Sequence, residues 1–177
     1  DGRYPRAGLM QAKDGNFYGT TREGGRADEG TVFRMTAQGR VDVLHSFRAD
    51  GNPDGVQPES LLAQGKDGGL YGTTQYSHGL GGFGIAFRLS PGGDYSILHA
   101  FDPSEALGPS SLIQADDGNF YGTADGGGAY DWGTAFRMTP DGVVTVLHDF
   151  DLDGVDGILP AAELLQARDG LLYGTTE

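Results

Sequence analysis

A chain of 177 residues with 37% hydrophobic content and a mean hydropathy of −0.36 can build one ordinary core, and no apolar run approaches the ~20 residues of a membrane span. A net charge of −13 and a pI near 4.4 argue against nucleic-acid phosphates and anionic membrane surfaces. They leave cations, neutral glycans and other proteins as partners. With no cysteine, disulfides and thiolate metal sites are excluded. No signal peptide is visible and the chain begins with Asp1, as expected of a processed product or an excised part of something longer.

In chain order, the first predicted strand follows a proline, over residues 5–12. It returns at 58–64, 109–115 and 160–167, nearly continuous in apolar residues. An Asp-Gly turn, a strong hairpin signal, leads into a second strand, Phe17-Tyr18-Gly19-Thr20-Thr21. This turn and strand recur around Tyr71, Tyr121 and Tyr173, in steps of 53, 50 and 52 residues. A glycine-rich loop precedes the third strand, residues 30–35, 84–89 and 133–138. A tight turn then gives the fourth, residues 43–47, 97–101 and 146–150. In that fourth strand Val41, Val43, His45 and Phe47 are expected on one face by simple alternation. An acidic, glycine-bearing connection returns to the next proline. Glycine, at 32 residues, is more than double its usual share of ~7%, as a chain of many tight turns requires.

Four short antiparallel strands repeated about every 50 residues are the signature of β-propeller blades. The chain therefore reads as an all-β, propeller-type tandem repeat, one region over residues 1–177 with repeats at about 5–57, 58–108, 109–159 and a half repeat at 160–177. A β-solenoid is the rival architecture, but its coils are shorter and lack paired Asp-Gly hairpins. Closed propellers hold four to eight blades, so three and a half imply a longer parent chain or blades that associate head to tail between chains, which can grow into fibres. Two copies would not complete each other, because both ends carry the first and second strands.

The positions Gly8-Leu9, Asp14 to Thr21, Gly24-Gly25 and Gly30 to Phe33, with their later copies, resemble the GloVer tandem-repeat proteins of bacteria. The resemblance covers essentially the whole chain. The second copy departs at Gln75-Tyr76-Ser77-His78 and the third at Ala124. The resemblance implies an exported protein, at the cell surface or outside it, with a propeller-like fold. It implies no chemistry.

Propeller connectivity gathers the loops after the second strand and the connections after the fourth on one face, the better candidate for function. The acidic connections there include Asp50, Asp54, Asp151, Asp153 and Asp156. Closely spaced carboxylates and glycine-permitted carbonyls can supply the six to eight oxygens calcium needs. Asp-Gly pairs are equally explained as turns that cap their own backbone. His45, His99 and His148 recur in the fourth strand and fit hydrogen-bonded packing better than a shared metal. Arg34, Arg88 and Arg137 are expected to pair with carboxylates between blades.

Tyr76 and His78 in one loop, and Tyr130, Asp131 and Trp132 in the next, are the candidate ligand-binding residues, because exposed aromatics beside carboxylates suit sugar rings. No nucleophile elbow, zinc-protease helix or phosphate loop is written in the chain. The function expected is that of a non-enzymatic structural or adhesive element that self-associates. A glycan-binding propeller is the alternative, and a carbohydrate-active enzyme the third reading.

Overall fold

The computed structural model describes residues 1–48, 54–153 and 157–177, and among these every regular element is a β-strand. The first repeat contains β1 (Gly2–Arg3), β2 (Met10–Gln11), β3 (Phe17–Thr21), β4 (Glu23–Gly24), β5 (Thr31–Met35) and β6 (Val41–Ser46). The second contains β7 (Gly55–Val56), β8 (Ala63–Gln64), β9 (Leu70–Thr74), β10 (Tyr76–Ser77), β11 (Ile85–Leu89) and β12 (Tyr95–Ala100). The third has β13 (Leu107–Pro109), β14 (Ile113–Gln114), β15 (Phe120–Gly126), β16 (Thr134–Met138) and β17 (Val144–Asp149). The last has β18 (Leu165–Gln166) and β19 (Leu172–Tyr173). All pairing is antiparallel, in the orders β2-β3-β5-β6, β8-β9-β11-β12 and β14-β15-β16-β17, with a two-stranded β18-β19 sheet after them. The chain is a β-propeller-type repeat.

Two features differ from the alternating pattern. The first strand of each repeat is not continuous. The residue before its proline is left-handed each time, with φ of 56° at Tyr4, 55° at Gln57, 59° at Gly108 and 52° at Leu159. A bulky residue there costs on the order of 1–2 kcal/mol, yet the kink recurs: only two residues of each predicted strand pair in the sheet, and in the first three repeats a second short piece lies upstream of them, at or before the proline. The upstream piece pairs with an extension of the second strand: β1 with β4, β7 with β10, and β13 with the end of β15. Tyr76 therefore lies in a strand opposite Val56 rather than in a loop.

The second difference is a register shift in the outer pair, between Val32 and Phe33, Ala86 and Phe87, and Ala135 and Phe136. A bulge inserts one residue and turns the strand beyond it. Val41 and Val43 consequently face solvent while Phe47 is fully buried.

Stacked sheets share two apolar layers. Val32, Phe47, Leu62, Leu70, Ile85, Phe87 and Leu89 fill the first, and Tyr71, Phe101, Leu112, Phe120, Phe136 and Met138 dominate the second. The glycine of the Phe-Tyr-Gly-Thr run is explained by this packing. A Cβ on Gly72 would stand 2.7 Å from the ring tip of Phe87 and 2.8 Å from a methyl of Leu62.

Each Asp-Gly turn is locked by its own aspartate. Asp14, Asp67, Asp117 and Asp169 accept the N–H two residues on, at 3.0 Å in every copy, and the hydroxyl of the tyrosine four residues on, at 2.8, 3.1, 2.9 and 2.9 Å. The repeated arginine stays within its own sheet, correcting the expectation of pairing between blades. Arg34 binds Asp42 on the neighbouring strand, Arg88 binds Asp67 and Tyr71, and Arg137 reaches Thr145.

These turns contribute to the acid stability. Asn16 holds the Asp14 carboxyl, Asn119 the Asp117 carboxyl and the Leu171 N–H the Asp169 carboxyl below their ordinary value of 3.8. Burial alone would raise Asp67, but Arg88 and the Gly69 N–H bring it below that value. A depressed carboxyl contributes stability above its unfolded pKa and loses it as pH falls through the folded one. The urea midpoint should hold from pH 7 to about 4 and fall steadily below it. A midpoint unchanged down to about pH 2.5 would remove the turn aspartates from the stability argument.

Candidate functional site

The polar geometry that links one repeat to the next is the joint between neighbouring sheets. Three clips build it. The first threonine of each second strand donates forward to a backbone carbonyl of the next repeat: Thr20 to Ser60 at 3.1 Å, Thr73 to Ser110 at 2.7 Å and Thr123 to Ala162 at 3.3 Å. A glutamine in each following first strand accepts a backbone N–H from the turn behind it. Gln64 takes that of Lys13 at 3.0 Å, Gln114 that of Lys66 at 2.7 Å and Gln166 that of Asp116 at 2.9 Å. The third clip is the histidine. His45 meets Asp54 at 3.2 Å and His99 meets Glu105 at 2.6 Å, and both carboxylates stand four residues before a repeat proline. Edge contacts to Phe47, Phe101 and Phe150 hold the three histidine rings.

The outer faces carry the same groups without partners among the described residues. Gln11, the counterpart of Gln64, accepts nothing from a preceding turn. Thr175, the counterpart of Thr123, donates to no carbonyl. Asp1 stands where Asp54 stands before its proline. In the complete sheets the second strand lies between two neighbours, whereas β19 pairs only with β18.

The acidic connections are placed differently from an open carboxylate cluster. Asp54 is buried, bonded to His45 and to the N–H of Gly55. Asp151 accepts the N–H of Asp153 at 2.8 Å, a local turn. Asp50 and Asp156 lie outside the described residues. Among the described residues no group of three His, Asp, Glu or Cys side chains could hold a metal.

Of the candidate ligand-binding residues, Tyr76 and Tyr130 are more than half exposed, and His78 and Asp131 are exposed. Trp132 is half-buried, and its carbonyl accepts the N–H of Leu159 at 3.0 Å. Asp131 is left-handed, with φ of 63°, as is Asp28 in the equivalent loop at 65°. No ring contact joins Tyr76 to Tyr130 or Trp132 among the described residues.

A feature that the repeat pattern conceals is a cavity of about 850 Å³ between the outer strands of the first and second sheets. Its floor is the ring of Tyr95, on which the His45 ring lies flat at 3.8 Å and 6°. Arg26, Arg48, Ser46 and Ser96 line it. The signal that could have found these residues is their departure from the repeat. Val41 and Val144 occupy the position of Tyr95, Asp102 and Asp151 that of Arg48, and Ala129 that of Arg26.

No curated protein matches the chain. Solved structures do, at identities that speak for the fold alone. A gluconolactonase from Xanthomonas campestris superposes with a TM-score of 0.64 at 18% identity, over 99% of this chain and 56% of its own. A virginiamycin B lyase from Staphylococcus aureus gives 0.60 at 14%, over 96% of this chain and 55% of its own. The extracellular domain of a proposed one-component system from B. thetaiotaomicron gives 0.65 at 12%, over 96% of this chain and 20% of its own. The chain thus spans about half the length of the lyase and the lactonase. The model of the Gloeobacter/Verrucomicrobia repeat matches residues 1–177, and the chain belongs to that family.

Proposed function

We propose that this protein is an extracellular, non-enzymatic structural or adhesive element whose repeats associate face to face with further repeats, within one polypeptide or between polypeptides. The observation that carries the proposal is the joint. The same threonine, glutamine and histidine clips recur from one sheet to the next, and their counterparts Gln11 and Thr175 carry the same groups with no such partner among the described residues. A repeat that carries donors on one face and matching acceptors on the other is self-complementary in a head-to-tail sense, and such contacts grow into rings or filaments. The extracellular location is the expectation of the repeat family, and the likeness to a bacterial extracellular domain, which carries fold alone, is consistent with it. The lyase and lactonase likenesses carry fold and not chemistry.

Electron microscopy of the native protein, with calcium and again with a chelator, tests the reading. End-to-end chains or fibres are expected. Their loss on chelation would assign calcium to the joint through the acidic connections. Single closed discs would overturn self-association and shift the weight to glycan binding at the exposed Tyr76 and Tyr130.

A further inference from the structure

We infer that the cavity between the first two sheets is a binding site for a polyhydroxylated carboxylate, a sugar acid, held by Arg26 and Arg48. Three residues that break the repeat, from two different repeats and three different segments, converge on this one space, while the His45–Asp54 pair beneath them is kept from the repeat. The joint alone needs none of them. The second and third sheets stack through His99 and Glu105 with Val144 and Asp102 in the corresponding positions.

The chemistry of the lining selects the ligand. Arg26 is exposed and Arg48 half-buried, and neither forms an ion pair or hydrogen bond among the described residues. In a chain with 25 acidic and 12 basic residues, the two bring a pair of guanidinium groups, unpaired among the described residues, to one cavity. A guanidinium fork matches a carboxylate in two parallel hydrogen bonds. The hydroxyls of Ser46 and Ser96 are likewise unengaged among the described residues, while the Tyr95 hydroxyl lies fully buried against Asp54 and offers the cavity only its ring. Burial first, then the charge of Asp54, holds that hydroxyl well above the ordinary tyrosine pKa, so it stays protonated throughout the physiological range. Hydroxyl donors and acceptors around a cationic rim suit a ligand with one carboxylate and several hydroxyls. The two carboxylates in the lining are no obstacle. Asp54 is tied to His45, and Asp1, which is exposed, can accept from ligand hydroxyls. The volume lies in the ~300–1,000 Å³ range of small-molecule sites.

Titration calorimetry of the native protein with sodium D-glucuronate tests the inference, with D-glucose and sodium sulfate as comparison probes. Saturable glucuronate binding is expected, with no binding of glucose and weak competition by sulfate. The Arg26→Gln/Arg48→Gln pair should weaken glucuronate at least tenfold and Ser96→Ala about threefold to tenfold, in line with charged and neutral hydrogen bonds respectively. Arg6→Gln removes an arginine outside this lining and should leave binding unchanged. Should the double variant fail to fold, Arg48→Gln and Ser96→Ala alone carry the test. No saturable binding, binding that survives loss of both arginines, or an equal effect of Arg6→Gln would overturn the site. None of these outcomes depends on whether the protein polymerises.

Discussion

Phe101→Ala should destabilise the protein by about 3–5 kcal/mol, the cost of truncating a large aromatic in a closed core. Phe101 leaves the end of β12 and is 1% exposed. Its ring meets Phe136 of the following sheet edge to face at 5.2 Å and His99 of its own sheet at 5.0 Å. The substitution would open a void where two sheets meet, and the close packing of buried Phe136, Leu112 and Phe120 around it resists collapse. A domain of this size has a total stability of about 5–15 kcal/mol, so the loss is a large fraction of the whole. Phe150 occupies the same place in the third repeat but is only half-buried. Its truncation should cost about 1 kcal/mol, the range of a partly exposed side chain. Urea unfolding of the two variants beside the parent gives the comparison. Equal losses would mean that the aromatic layer between sheets is not what holds them together.

That pair of phenylalanines also shows what was legible beforehand. The spacing of the Asp-Gly turns, the tyrosine four residues on and the aromatic at the end of each fourth strand are contacts within a few residues or repeats of them, so periodicity exposes them. The split first strand was not legible. A left-handed residue before proline leaves no mark when the residue is Tyr4, Gln57 or Leu159 rather than glycine. Nor was the bulge, because Val41, Val43, His45 and Phe47 alternate smoothly on paper while the register shift opposite Val32 and Phe33 turns the strand between them.

The same limit governed the site. Asp54 reads as one more carboxylate in an acidic turn, whereas in space it belongs to His45, nine residues back. Tyr95, Arg26 and Arg48 are far apart along the chain and meet only because two sheets stack. What marked them was their failure to match the other copies. In a tandem repeat each unit serves as a control for the next, and positions that depart together are better guides to a site than residue types taken singly.

Gly84→Ala is expected to be among the most damaging of the small substitutions, costing more than about 3 kcal/mol, because strain and a backbone clash add. Gly84 opens the third strand of the second repeat with φ of +92°, in the left-handed half of backbone space, and Gly30 and Gly133 repeat that conformation at +105° and +101°. A Cβ there would overlap the carbonyl of Thr74, stand 2.9 Å from Cδ of Pro109 in the next repeat and 3.2 Å from the carbonyl of Gln75. Two of these neighbours are backbone and the third is a ring, so nothing can swing aside. The carbonyl of Gly84 also accepts the N–H of Phe101 at 3.1 Å, which ties any shift of this residue to the aromatic layer. Gly79, in the preceding loop, separates strain from clash. Its φ is +83°, but a Cβ there would have nothing within 4 Å. Gly79→Ala should therefore cost only about 1 kcal/mol, the conformational part alone. Thermal unfolding of both variants reads the difference. If Gly79→Ala were as harmful as Gly84→Ala, the left-handed conformation itself, and not the close approach of the next repeat, would explain why this position is glycine in every copy.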